Sequence, residues 1–403
     1  MAIASGVGKQ VIYKVQSALG TKATAGSAQI LRRVTSNLEL RKNTFQSNEI
    51  RTDYQISDFR HGTKYIEGNI SGEISPGTYK DFFAAALRRD FATVSAITSL
   101  SITITGTSAP YTLARGSGSW LTDGIKVGDV VKFTVGTFNA ANTGKNLLVA
   151  SVSASNITVY PLNSSSMVAE GPIASATLTV VGKKTYVPTT SHTNKYFTVE
   201  HWFSDISESE SFVDCKVNTV AVAITPTGMA TVDFGFLGRS QDLAASQYFT
   251  APTAATTTGV TAGANGLLMV SGATVGNVTG ISFDINGNMT REDVIGSSSS
   301  PDIFAGSVLV SGQITILFED DTYSQMFEDE TEASIAVALT TSNDAAADFV
   351  SFVMPRIKVG GNSKDDGQKG IVQTLPFTAL LDGTGGAGTD SEQSTIVIQD
   401  SQA

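Results

Sequence analysis

Tyr65-Ile66-Glu67-Gly68-Asn69-Ile70-Ser71-Gly72-Glu73-Ile74 alternates in character along its length. In an extended chain Ile66, Ile70 and Ile74 share one face, and Glu67, Asn69, Ser71 and Glu73 share the other. A period of two marks a half-buried strand. Its apolar face needs cover, and the next residues offer a short helix. Thr78 is a candidate N-cap, and Tyr79, Phe82, Phe83, Ala86 and Leu87 form an apolar stripe at helical spacing. A helix lying on a sheet is one of the few stable ways to bury both.

The pattern recurs. Asn69-Ile70-Ser71-Gly72-Glu73-Ile74 is echoed by Leu309-Val310-Ser311-Gly312-Gln313-Ile314, and Thr78-Tyr79-Lys80-Asp81-Phe82-Phe83 by Thr322-Tyr323-Ser324-Gln325-Met326-Phe327. Upstream, Val34-Thr35-Ser36-Asn37-Leu38 is matched to Val278-Thr279-Gly280-Ile281-Ser282. Three echoes in one order point to a duplication. In the second copy Thr322 is the candidate cap of a helix over 323–330. Strands are expected at 195–203, 217–225 and 229–237 in the first copy, and at 334–340, 349–359 and 371–381 in the second.

Between the first helix and Lys195 lies a stretch without counterpart. It is rich in strand patterns, at Ser101–Thr105, Val130–Val135, Leu147–Val152, Asn156–Tyr160 and Ala176–Val181, with turn signals such as Asp123-Gly124. Insertion into a loop is tolerable because loop-closure entropy grows slowly with length. The expected organisation is a discontinuous first domain (1–96 plus 188–249), an inserted all-β domain (97–187), a linker (250–277) with a strand at Leu267–Val270, and a second domain (278–403). The inserted domain is expected to be dispensable for assembly.

Composition agrees with a mainly β chain. Of 403 residues, 38 are glycine and only 16% are charged, while 41% are hydrophobic, enough for a sizeable core. No secretory leader and no long apolar run is seen, so a soluble, cytoplasmically made protein is expected. The net charge of −10 argues against a general nucleic-acid binder, and it is unevenly spread. Residues 1–96 carry 13 bases and 8 acids, whereas 278–403 carry 5 bases and 19 acids. Glu319, Asp320, Asp321, Glu328, Asp329, Glu330 and Glu332 form the densest acidic stretch, with no base among them. One reading is solvated faces; the other is a basic part that meets the acidic part of a neighbouring copy.

Motifs for chemistry are scarce. His61, His192 and His201 stand at no metal-ligand spacing, and the single cysteine, Cys215, allows no intrachain disulfide. Gly383-Thr384-Gly385-Gly386-Ala387-Gly388 matches Gly-x-Gly-x-x-Gly, but a strand-like run follows where a dinucleotide site needs a helix. The acidic pairs Asp320-Asp321 and Asp365-Asp366 sit at a helix start and in a turn. No catalytic, cofactor or metal residue is assigned. Residues 41–64 are more telling: a long, polar, charged connection that needs a partner or a function. Arg41, Lys42, Glu49, Arg51, Asp53, Asp58 and Arg60 are therefore the candidate inter-subunit contact residues.

Ser47-Asn48-Glu49-Ile50-Arg51-Thr52-Asp53-Tyr54, Gly62, Ile66 to Ile74, Pro76-Gly77-Thr78-Tyr79 and Phe82-Phe83-Ala84-Ala85-Ala86-Leu87 together resemble the tail tube proteins of long-tailed (siphovirus-type) bacteriophages. The insert resembles that family's optional domain around Gly118-Ser119-Trp120-Leu121, Gly124 to Val131 and Asn142 to Asn146. The resemblance implies a mainly β fold: two tandem tube-type β-sandwich or barrel domains, each with one short helix, plus the inserted domain on the outer surface. It implies a structural virion protein, not an enzyme, without cofactor or membrane. Its sheets join between neighbours into rings, and the rings stack into a tube that conducts double-stranded DNA without binding it specifically. Other tail proteins (tape measure, terminator, distal tail) are implied partners. A duplicated chain makes a trimeric ring more apt than a hexameric one. The rival reading is a surface adhesin or carbohydrate-binding β protein.

Overall fold

The computed structural model describes residues 3–403. In chain order its main elements are β1 (Lys9–Val15), β2 (Glu39–Gln46), β3 (Phe59–Glu73), α1 (Lys80–Ala86), β4 (Ile97–Thr105), β5 (Tyr111–Arg115), β6 (Val130–Val135), β7 (Leu147–Val152), β8 (Asn156–Pro161), β9 (Glu170–Val180) and β10 (Lys183–Tyr186). They continue with β11 (Phe197–Phe203), β12 (Glu208–Ile224), β13 (Thr231–Gly238), β14 (Ser240–Ala244), β15 (Gly266–Val270), β16 (Val278–Asn286), β17 (Leu309–Leu317), α2 (Thr322–Glu328), β18 (Ala333–Thr340), β19 (Phe349–Val359), β20 (Val372–Ala379) and β21 (Val397–Asp400). The fold is mainly β.

One antiparallel sheet runs through the molecule in the order β2-β3-β13-β12-β16-β17-β20-β19. A single row of paired residues crosses it: Thr35, Ser71, Asp233, Ala221, Asp284, Ser311, Thr378 and Lys358. The adjacent row carries Gly72, Val232, Val222, Phe283, Gly312, Phe377 and Val359. One face of this sheet is apolar and buried, with Ile66, Ile70, Val220, Phe234, Ile285, Val310 and Leu375 in a common core. The other face is polar and open, as alternation requires.

Each half has a second layer. In the first, β1, β11, the leading half of β12 and β14 pair in that order. In the second, β15, β18, the leading half of β19, β21 and β10 do so. Pairing thus runs β1-β11-β12-β13-β3-β2 in one half and β15-β18-β19-β20-β17-β16 in the other. β15, expected within the linker, is a full sheet member.

α1 plugs the first half. Phe82 lies 4.8 to 5.3 Å, centroid to centroid, from Tyr13, Phe197, Phe234 and Phe236. Each such buried aromatic is worth roughly 1.5–3 kcal/mol of transfer free energy. Thr78 does not cap the helix. Its hydroxyl bonds Ser75 and Thr256 instead, each at 2.6 Å, and Tyr79 holds the cap position. Asp321, not Thr322, precedes α2. The repeated Ser-Gly has a steric origin. A Cβ on Gly72 would stand 1.8 Å from Tyr79 Oη, and one on Gly312 would stand 2.4 Å from the Ser282 carbonyl. The echo of Val34 in Val278 is out of register with the hydrogen bonding. Thr35 faces Ser71 whereas Asp284 faces Ser311, so Val34 corresponds to Phe283.

The insert is a closed six-stranded barrel, β8-β5-β4-β9-β6-β7, with its own core around Trp120. It is bonded to the second half. Val130 and Leu148 pack with Met269, Ala336, Ala338 and Val353. Lys184 Nζ, buried, sits 3.0 Å from Asp129 and 2.8 Å from Glu392. Burial opposes its charge, but the two carboxylates outweigh that and hold its pKa above the ordinary value. Gln399 bonds Val130 through both N–H and carbonyl, at 2.9 Å each. This shared interface ties the inserted barrel to the second half of the chain. Replacing 97–180 by a short linker exposes Met269, Ala336 and Val353, and thermal melts should show an earlier, aggregation-prone transition. Adding Met269→Gln and Val353→Thr should restore solubility; a bare deletion that melts like the parent refutes the shared core.

Candidate functional site

The two ends of the long sheet are its chemically open parts. At one end, among the described residues, the outer edge of β2 has no strand beside it. At the other, β19 leaves β18 at Ile357 and has no partner on that side beyond it, among the described residues. A row of unpaired N–H and C=O groups is a template for another strand.

The segment 41–64, expected as an irregular connection, is mostly a hairpin: residues 41–46 and 59–64 lie in β2 and β3, and only 47–58 form the tip. Arg41 and Lys42 sit on β2, Arg60 on β3, and Glu49, Arg51, Asp53 and Asp58 in the tip. The charges pair locally. Arg41 reaches Glu39 at 2.6 Å and Glu67 at 3.0 Å, Arg51 reaches Asp53 at 2.9 Å, and Arg60 reaches Asp58 at 2.7 Å. Glu49 accepts a bond from Ser57. The Arg51 guanidinium holds the Asp53 carboxyl below its ordinary range. Exposed pairs of this kind contribute about 0–1 kcal/mol each.

Charge counting missed the apolar residues interleaved with these ions. Phe45, Ile50, Tyr54 and Ile56 are exposed, Ile50 and Tyr54 completely so. Apolar side chains in a polar tip were the available signal. A second hairpin, between β16 and β17, leans on the first. Lys64 N–H donates to the Ser298 carbonyl at 2.8 Å, Asp293 accepts from Thr63 at 2.7 Å, and Arg291 stacks 3.3 Å from the Tyr65 ring centroid.

The remaining candidates for chemistry are structural. Asp320 and Asp365 accept bonds from the backbone of Thr322 and Val372. Asp382 ties the Gly383–Gly388 turn through Thr384, Gly385 and Ser391. Cys215 is fully buried, which pushes its thiol pKa up. His201 Nε2 lies 2.7 Å from Ser36 Oγ, while Nδ1 lies 3.8 Å from Glu210, beyond hydrogen-bond reach. That contact pins the edge segment 35–36 to β11. No group of three or more His, Cys, Asp or Glu side chains among the described residues is placed to hold a metal.

The family model described as phage tail tube protein matches residues 6–379. The chain belongs to the phage tail tube protein family. No curated protein sequence matches it. The family is structural rather than enzymatic, and membership assigns this tube protein to the virion tail. No helix among the described residues is long and apolar enough to cross a membrane.

Burial, with Lys9 and Arg33 nearby, lowers the His201 pKa to about 4, against the weaker pull of Glu210. The unfolded chain takes up that proton near pH 6.5, so this contribution is complete above pH 6.5 and is lost as pH falls toward 4. Its ceiling is roughly 3 kcal/mol. Asp400 has the opposite sign: burial raises it to about 6, so its contribution grows as pH falls through 6. In urea denaturation of the tube protein at pH 7 and 4.5, His201→Gln should flatten the acid loss and Asp400→Asn should steepen it. Unchanged differences for both would contradict these assignments.

Proposed function

We propose that the chain polymerises laterally through its two open sheet edges into closed rings, and that the rings stack into the tube that conducts DNA during genome ejection. The observation that carries this reading is the β12–β16 seam. There one half of the chain meets the other by edge pairing, Thr219 to Ile224 against Asn286 to Ile281. In the row across the sheet, the order Thr35, Ser71, Asp233, Ala221 is followed by Asp284, Ser311, Thr378, Lys358. Treating the halves as two copies of one domain, Lys358 stands where Ala221 stands, and Thr35 where Asp284 stands. Repeating the seam between chains sets Lys358 beside Thr35 of the next chain.

Three chains then close a barrel of 24 strands. At ~4.8 Å spacing and ~40° tilt the backbone diameter is about 48 Å, which admits duplex DNA after side chains are added. The polar face would line the lumen. It presents Glu39, Glu67, Glu73, Asp233 and Asp284 against few bases, so phosphates are repelled rather than held. The inserted barrel, on the second layer, would lie outside. Axial stacking is heterologous and continues without closing. The hairpin, with Arg51, Ile50 and Tyr54 exposed in its tip and Arg60 on the adjoining strand, is suited to contacts between chains. Tape measure, terminator and distal tail proteins would meet the ends of the tube, and chains made in the host cytoplasm would supply it.

Thr35→Cys combined with Lys358→Cys tests the seam. Oxidation should give dimers and trimers on a non-reducing gel, with nothing larger, since Cys215 is buried. A ladder reaching six chains would exclude the trimer, and no cross-linking in assembled tubes would exclude the register. Arg51→Glu with Arg60→Glu should leave the monomer folded and weaken polymerisation, as should high salt. Tubes of normal length from that double variant at low salt would remove the hairpin from the assembly contact.

A further inference from the structure

α1 and α2 occupy corresponding places, yet their surroundings differ. α1 is closed over by the second half of the chain. Phe83 is 2% exposed and faces Phe352 of β19 at 5.9 Å; Phe352 in turn faces Phe283 at 5.2 Å. Gly77 N–H, just before α1, donates to Asp400 at 2.8 Å. α2 has no buried residue. Phe327, which answers to Phe83, is 42% exposed, and Tyr323 and Met326 are only half-buried. Beside them lies a groove of about 500 Å³ lined by Val275, Leu317, Tyr323 and Met326.

A matching gap lies at the far end of the chain. Val34 answers to Phe283 by hairpin register. Phe283 is 1% exposed, whereas Val34, just before the paired residues Thr35 and Ser36, is 60% exposed. The outer members of the Phe83–Phe352–Phe283 chain thus have counterparts, Phe327 and Val34, that are uncovered at opposite ends of the molecule. Charge follows the same division. Glu319, Asp320, Asp321, Glu328 and Asp329 have no basic partner within ion-pair distance among the described residues; Glu330 and Glu332 are taken by Lys358 and Arg356. Residues 1–42 hold seven bases and one acid, and Lys9, Lys14, Arg32 and Arg33 have no carboxylate partner there.

We infer that α2 is a socket for the first half of a second copy of this chain, with Val34 of that copy closing over Phe327 and Val359, and the basic 9–42 segment facing the acids around α2. The inference rests on the ring reading, because the seam at Lys358 and Thr35 brings these faces together. It adds an apolar lock and a charge match to the backbone pairing. The occupant is a copy and not another protein because what covers α1 is this chain's own second half, and Val34, which answers to Phe283 of that half, is exposed at the other end.

The test uses full-length chains with one face removed in each. Phe327→Asp spoils the socket and leaves Val34 intact; Val34→Asp does the reverse. Each alone should show wild-type circular dichroism and run as a single chain by light scattering at low salt. Mixed in equal amounts they should give a species with the mass of two chains and nothing larger, because only one good seam remains between them. Folding is thereby checked by the pairing itself. If the mixture stays monomeric while wild type forms rings, or if either variant alone forms rings, the socket is refuted and the sheet closure stands. If wild type forms no rings and the disulfide pair does not cross-link, the ring reading falls and the socket with it.

Discussion

Backbone hydrogen bonding in a β-sheet has no internal stop, and the rest of this molecule is arranged around that fact. One register crosses the sheet from Thr35, in the short paired segment before β2, to Lys358 of β19, and both outer edges are left with unmet donors and acceptors among the described residues. Soluble proteins ordinarily blunt such edges with charges, proline or a covering loop. Here β2 has Arg41 and Lys42, yet Val34 beside it is bare, and β19 is open beyond Ile357. The edges are kept usable, and the polar face keeps the sheet from burying itself on its other side.

The second layers and the helices secure that sheet. α1 is inserted between the layers of the first half, and its aromatic contacts lock strands from both layers to one another. The inserted barrel performs the analogous task for the second half from outside, covering the outward face of β15, β18 and β19. Those strands are consequently buried on both sides, with Ile335, Val337 and Leu339 turned to the main core and Ala336 and Ala338 turned to the barrel. Small residues on the barrel side let the two bodies approach closely. The ion cluster at Lys184 and the Gln399 contacts fix their angle, because a buried charge with displaced partners is costly.

Much of this was legible in the residues. The alternation of Ile66, Ile70 and Ile74, the aromatic stripe after Thr78 and the strand-rich insert near 97–187 each correspond to an observed element. What failed, failed for physical reasons. Local polarity concealed the β2–β3 hairpin, because strands without a buried face show no apolar alternation. The caps went to Tyr79 and Asp321 because Thr78 was bonded elsewhere, a long-range contact that no local window contains. By hydrogen-bond register Val34 answers to Phe283 and not to Val278, a difference that sequence likeness does not carry. The charge division marked the two ends of the chain, but the exposed apolar residues there, Val34 and Phe327, are visible only once burial is known.

The β12–β16 seam also bears on how fast and how dilute a ring can form. Were the halves separate chains, six bodies would have to meet and six seams would form by collision. In the proposed ring of three chains, three of the six seams would be carried within the chains, so only three bodies would lose translational freedom and ring formation would follow the third power of concentration instead of the sixth. The fused seams cannot come apart into separate bodies, so a strained ring would break at alternate seams only. In that proposed ring, fusion would also make neighbouring sectors unequal: one of every two would bear the barrel, giving a threefold pattern outside a nearly sixfold lumen.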